Sequence, residues 1–219
     1  MGQYFLGFYA LALIASMVTY RRFFDTPLRL FPIFIAYTFF NELLGYFIMH
    51  FEEFSFFEDE AYHWHNVIIY NIYHIIFHAY LFWVYFKLLK NRKHLTWFKR
   101  LVAMTVMAYG VSLFFQDPLH SNLYYADTLC SISMVIVIGC HFSELSKYSR
   151  AANSHNLMVY FGAGFFLFNL YFPFYILNGY LNVDFFLDYH LRQVLWGVIS
   201  VMYSTFTLGF FISKRAAFR

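Results

Sequence analysis

The chain has 219 residues, of which 61% are hydrophobic, 26% aromatic and only 12% charged, against about 25% charged in an ordinary soluble domain. Such a composition leaves too little polar surface to hold a soluble fold in solution and points to a bilayer as solvent. The net charge of +3 is small, and the placement of the basic residues carries the information.

The first apolar run begins at Tyr4 and gives a helix over about 4–20. No basic segment precedes it and no small-residue cleavage site follows, so it reads as a span and not as a cleavable signal. Asp25-Thr26-Pro27 marks the turn into a second helix over about 29–51. An acidic joint with Glu52, Glu53, Glu58, Asp59 and Glu60 leads to a third over about 64–88. Beyond Asn91-Arg92-Lys93 comes a fourth over about 98–116, and beyond Asp117-Pro118 a fifth over about 122–144. A sixth runs over about 155–178, and Asn178-Gly179 separates it from a seventh over about 185–213. Each is near or above the roughly 20 residues needed to cross ~30 Å of hydrocarbon. There is no internal repeat, lipidation motif or long linker. The expected fold is therefore all-α: residues 1–219 form a single polytopic membrane bundle of seven transmembrane helices. Cys130 and Cys140 share the fifth helix, roughly 15 Å apart by helical rise, too far for a disulfide.

Fourteen of the fifteen basic residues fall in alternate joints and the tail. They are Arg21, Arg22 and Arg29 in the first joint, six between Lys87 and Arg100 around the third, Lys147 and Arg150 in the fifth, and Lys214, Arg215 and Arg219 at the end. The positive-inside rule places those segments in the cytoplasm, which puts the N-terminus outside and the C-terminus in the cytoplasm. Topology accounts for these charges, and no nucleic acid is expected as a partner.

The fifteenth, Arg192, lies inside the last helix and joins a layer of polar groups at membrane depth. Counting ~1.5 Å per residue from the outer helix ends, Asn41 and Glu42 lie about 13–15 Å down. Asn71 and His74, with Tyr70 just above, come out at roughly 10–15 Å, and Asp127, Asn169 and Arg192 at about 8–14 Å. Ionisable groups at the bilayer centre cost at least ~2.5 kcal/mol and usually face the bundle interior or a cavity. Taken singly, Tyr, Asn and His are often interhelical hydrogen-bond glue, worth about 0.6 kcal/mol per contact. Glu42 is different, because it needs a donor or a proton to be tolerated. The layer predicts an outer-facing pocket that binds a small molecule or membrane lipid through Asn41, Glu42, Tyr70, Asn71, His74, Asp127, Asn169 and Arg192. Glu42 and His74 are expected to face each other across it. Asp188 and Arg192, spaced i, i+4, are expected to pair.

His74 and His78 place two imidazoles on one helical face, suited to holding zinc or iron, with Glu42 as ligand or general base. That suggests, as an alternative, an intramembrane metal-dependent enzyme. Seven-helix ceramidase and progestin-receptor hydrolases keep their paired histidines in the last helix, where this chain has only His190. His63 and His65, beside Glu58, Asp59 and Glu60, offer a weaker surface metal site. A transporter or pore-forming reading rests on Pro173 and the Gly162/Gly164 pair in helix six.

The layout, with Asn41-Glu42 in helix two and the run Tyr70-Asn71-Ile72-Tyr73-His74 in helix three, resembles small uncharacterised bacterial seven-helix membrane proteins. These are similar in layout to the membrane sensor part of histidine kinases. The resemblance implies a sensor or receptor-like module in the bacterial inner (cytoplasmic) membrane. This chain carries no kinase domain, so its signal would pass to a separate cytoplasmic partner.

Overall fold

The computed structural model describes residues 4–57, 66–147 and 153–214. Within them the chain forms eight α-helices: α1 Tyr4–Val18, α2 Phe31–His50, α3 Val67–Leu88, α4 Arg92–Phe115, α5 Tyr124–Leu145, α6 Leu157–Leu181, the short α7 Val183–Asp188, and α8 Leu191–Ile212. No strand occurs among the described residues. Six helices are long and apolar enough to cross a membrane, as in an integral membrane protein, and α1 is a shorter apolar helix.

Local chemistry explains where the helices depart from the sequence reading. Helix four starts at Arg92, not near residue 98, because the Asn91 side chain accepts from the Lys93 backbone N–H at 2.9 Å and caps the helix there. The basic stretch 92–97 is thus its first turns. Helix six runs unbroken past Gly162, Gly164 and Pro173 to Leu181, where Asn182 ends it. The gap expected of a discontinuous transporter helix is absent from this segment. The last predicted span is two helices. Asn182 caps α7 by accepting from Phe185 N–H at 3.2 Å. His190 then adopts the left-handed conformation, φ 50° and ψ 42°, and breaks the path before α8.

The helix ends are joined by side chains that also reveal alternating direction. At one end, Asn71 near the start of α3 meets the α4–α5 loop, and Tyr124 at the start of α5 stacks on Tyr180 at the end of α6 with ring centroids 3.8 Å apart. Call this the loop end. At the other end, the Arg22 guanidinium donates to the Phe210, Phe211 and Ser213 carbonyls at 3.4, 3.0 and 3.3 Å, satisfying the last turn of α8. There too Glu144 accepts from the Lys90 and Asn91 backbone N–H groups and from His94 at 3.1, 3.2 and 2.8 Å. It binds the α3–α4 joint to the end of α5. Arg21, Arg22, Arg29, Lys90, Lys93 and Lys147 all lie at this basic end.

Helix α6 is the hub, packing most extensively against α8 and α5, while α1 lies against α8 and α2. Without a hydrophobic force between helices in lipid, association rests on close packing. The core supplies it with interlocked rings, among them Phe31–Phe161 at 4.9 Å, Phe161–Phe165 at 4.7 Å and Phe165–Phe206 at 4.8 Å. Gly209 allows the α6–α8 approach: a Cβ there would lie 2.5 Å from the Tyr160 Cβ.

Candidate functional site

Near the loop end the helices separate around a cavity of about 840 Å³, walled by α1, α2, α3, α6 and α8. Its size falls in the range of small-molecule sites, ~300–1,000 Å³. Glu42, Tyr70, His74 and Arg192, four of the eight residues chosen from sequence, line it. The other four do not.

Glu42 sits one helical turn before Gly45, where a Cβ would come within 2.7 Å of the Tyr70 hydroxyl. The missing side chain lets Tyr70 reach across from α3 and donate to the Glu42 carboxylate at 3.0 Å. No ion pair to Glu42 occurs among the described residues. Tyr9, Tyr73, Tyr175 and Tyr203 line the same cavity. The Tyr9 and Tyr203 rings are in edge contact at 4.1 Å, and the Tyr73 and Thr38 hydroxyls are 3.2 Å apart. Together they make an aromatic wall of the cavity that Glu42 lines.

The expected Glu42–His74 pairing is replaced by two separate ones. His74 does line the cavity, but its Nδ1 is 2.9 Å from Asp127 Oδ2. Asp127, in the first turn of α5, is fully buried and also accepts from the Tyr109 hydroxyl at 2.5 Å. A carboxylate in a helix's first turn is favoured by the helix dipole, so Asp127 is the stronger partner for the ring. It holds His74 with Nδ1–H toward α5, which leaves Nε2 as the nitrogen available to the cavity. Tyr70, one turn earlier on the same face of α3, takes Glu42 instead.

Arg192 is exposed on the cavity wall against Tyr175 and makes no ion pair among the described residues. The expected Asp188 partner fails because Asp188 belongs to α7, and the break at His190 destroys the i, i+4 register.

Asn71 is a tether. Its Nδ2 donates to the Pro118 and Ser121 carbonyls at 2.8 and 2.9 Å, and its Oδ1 accepts from Leu123 N–H at 3.2 Å. The amide is fully spent on the α4–α5 loop. In that loop the His120 ring against Asp117, at 2.6 Å, and the Leu119 N–H hold the Asp117 carboxyl below the usual carboxylate range. Asn41 and Asn169 are buried away from the wall, and Asn169 turns its Nδ2 back to the Phe165 carbonyl at 2.8 Å.

The metal reading fares differently at its two places. His78 is buried, with Nδ1 directed at the His74 carbonyl at 2.9 Å, and His74 is committed to Asp127. Among the described residues no three of His, Cys, Asp and Glu converge to hold a metal ion. The candidate surface site at His63, His65, Glu58, Asp59 and Glu60 lies outside the described residues.

The sequence singles out none of Tyr9, Tyr109 and Tyr175 as site residues, and Tyr73 enters only within the run Tyr70-Asn71-Ile72-Tyr73-His74. Tyr70 and Tyr73 at i, i+3 beside Glu42's helix were the available signal. Helix α1 gives none, since nothing in its largely apolar run sets Tyr9 apart from Tyr4. No family model, curated protein or solved structure matches the chain.

Proposed function

We propose that this protein is a membrane-embedded, receptor-like sensor module that binds a small molecule or lipid in the cavity around Glu42. The observation that carries the reading is Glu42 itself. It is a carboxyl group within an apolar bundle, held by one hydrogen bond from Tyr70 and without an ion-pair partner among the described residues, on the wall of a ligand-sized cavity. Charged groups at membrane depth are costly and mark functional sites.

In this reading the chain spans the bacterial inner membrane seven times, with α1 and the α7–α8 segment as the first and last spans. The basic end faces the cytoplasm, in line with the positive-inside rule, and the cavity opens outside. The resemblance to histidine-kinase sensor parts agrees with such a layout. The basic end is also where Arg22 and Glu144 tie the α1, α3–α4, α5 and α8 termini together, a surface suited to a separate signalling partner.

A second reading, an enzyme, is favoured by the Asp127–His74 arrangement, which resembles the orienting pair of a general base. It ranks behind because no activated nucleophile or third metal ligand joins His74 among the described residues.

Two measurements check the proposal. In a background lacking Cys130 and Cys140, Ser55→Cys should react with a membrane-impermeant thiol reagent in intact cells, and Asn91→Cys only after permeabilisation. The reverse pattern would overturn the orientation. In native mass spectrometry of protein gently extracted from its own membranes, a defined mass should be retained by the wild type and lost from Glu42→Gln and His74→Asn. Identical adducts in all three proteins would reduce these residues to packing.

A further inference from the structure

The cavity wall carries one acidic side chain, Glu42, and one Lys or Arg side chain, Arg192. Neither is paired with the other, nor with any other charged group among the described residues. Tyr175 lines the cavity with them, and a volume of about 840 Å³ is the scale of a single small-molecule site, so one ligand filling it meets both charges. The remaining wall adds the polar side chains of His50, Asn66, His74 and Asn122 to aromatic and apolar groups, the latter including Phe168, Phe172 and Ile176 toward α6.

From this arrangement we infer that the ligand is a zwitterionic amphiphile, with an ammonium group at Glu42, an anionic group at Arg192 and an apolar body along α6. The inference rests on the binding reading above and gives it a chemical class. Charge neutrality selects the zwitterion. A purely cationic ligand would satisfy the carboxylate and leave the guanidinium, and an anionic one would do the reverse. An uncompensated carboxylate in this wall is costly, and the exposed, unpaired Arg192 guanidinium stands ready for an anionic group. The tyrosine faces around Glu42 add cation–π attraction for an ammonium group. Planar guanidinium suits a phosphate or carboxylate, which it can bind through two parallel hydrogen bonds. The apolar wall has no use for a ligand made only of a headgroup, so it selects for a tail.

The test needs no knowledge of the natural ligand. Protein in a neutral maltoside detergent is offered an equimolar set of four amphiphiles with the same twelve-carbon tail. Their heads are phosphocholine, trimethylammonium, sulfate and an uncharged ethylene glycol ether, and the retained adducts are counted by native mass spectrometry. The phosphocholine form should be retained at least ~10-fold over the uncharged one, with the two singly charged forms between. Glu42→Gln should remove the advantage conferred by the ammonium group and Arg192→Met that conferred by the anionic group. The wild-type ranking alone is decisive should either variant fail to fold. Free phosphocholine in competition tests the tail: at equal concentration it should leave the phosphocholine amphiphile bound, and full displacement by the headgroup alone would overturn the amphiphile. Equal retention of the phosphocholine and uncharged forms would overturn the zwitterion while leaving a cavity that binds amphiphiles. Retention of none of the four would overturn both.

Discussion

Asp127→Ala should cost the folded protein about 3–5 kcal/mol, the loss of two hydrogen bonds to a buried charged acceptor at roughly 1.5–3 kcal/mol each. For a chain of this length that corresponds to a fall in melting temperature on the order of 10 °C, read by thermal unfolding in detergent. The reason lies in what Asp127 holds. It is fully buried, pairs with His74 at 2.9 Å and accepts the Tyr109 hydroxyl at 2.5 Å. Its removal leaves a donor on α3 and another on α4 without an acceptor, and it opens space at the start of α5. Helices α2 and α3, and α3 and α4, pack against each other only sparingly, so this network is a principal lateral tie of α3 to α4 and α5. Asp127→Asn keeps the volume and one acceptor and should cost less. In the double variant with His74→Gln the loss should be smaller than the sum of the two single losses, because both act on one network. An unchanged melting temperature for Asp127→Ala would show that α3 is held by the apolar core alone.

The same network shows where the sequence was legible and where it was not. The helices were readable because a bilayer imposes length and apolarity on each span, and asparagines at positions 91, 156 and 182 set their first turns locally. The break at His190 was hidden: a left-handed non-glycine residue has no compositional signature, and Asp188 and Arg192 carried a false i, i+4 signal across it. Depth counting gathers Glu42, Tyr70, His74 and Arg192, which line one cavity. It could not tell a wall residue from Asn71, whose polarity serves the α4–α5 loop, because polarity at a given depth does not say which direction a side chain takes. Nor could it choose Asp127 over Glu42 as the partner of His74. That choice depends on how α5 sits beside α3, a tertiary fact with no trace in spacing.

Glu42→Gln offers the sharpest separation of binding from packing, because the two roles predict opposite signs. Glutamine keeps the shape and retains an acceptor for the Tyr70 hydroxyl that now donates at 3.0 Å. What it removes is the charge. If that carboxylate were structural glue, its loss would weaken the fold by about 0.5–1.5 kcal/mol, the worth of an ordinary hydrogen bond. On the present reading the ligand-free protein holds an uncompensated carboxylate among tyrosine rings, a cost sustained for function. Ligand-free Glu42→Gln should then be more stable than the wild type by about 1–2 kcal/mol, a rise of roughly 3–8 °C. Adding the zwitterionic amphiphile should close or reverse the gap, since the wild type gains ~2.7 kcal/mol at a hundredfold excess over its dissociation constant and the variant, lacking the ammonium contact, gains less. The measurement is a pair of melting curves for each protein, with and without dodecylphosphocholine below its micelle concentration. A Glu42→Gln protein less stable than the wild type without ligand, and shifted equally with it, would return Glu42 to the interhelical glue.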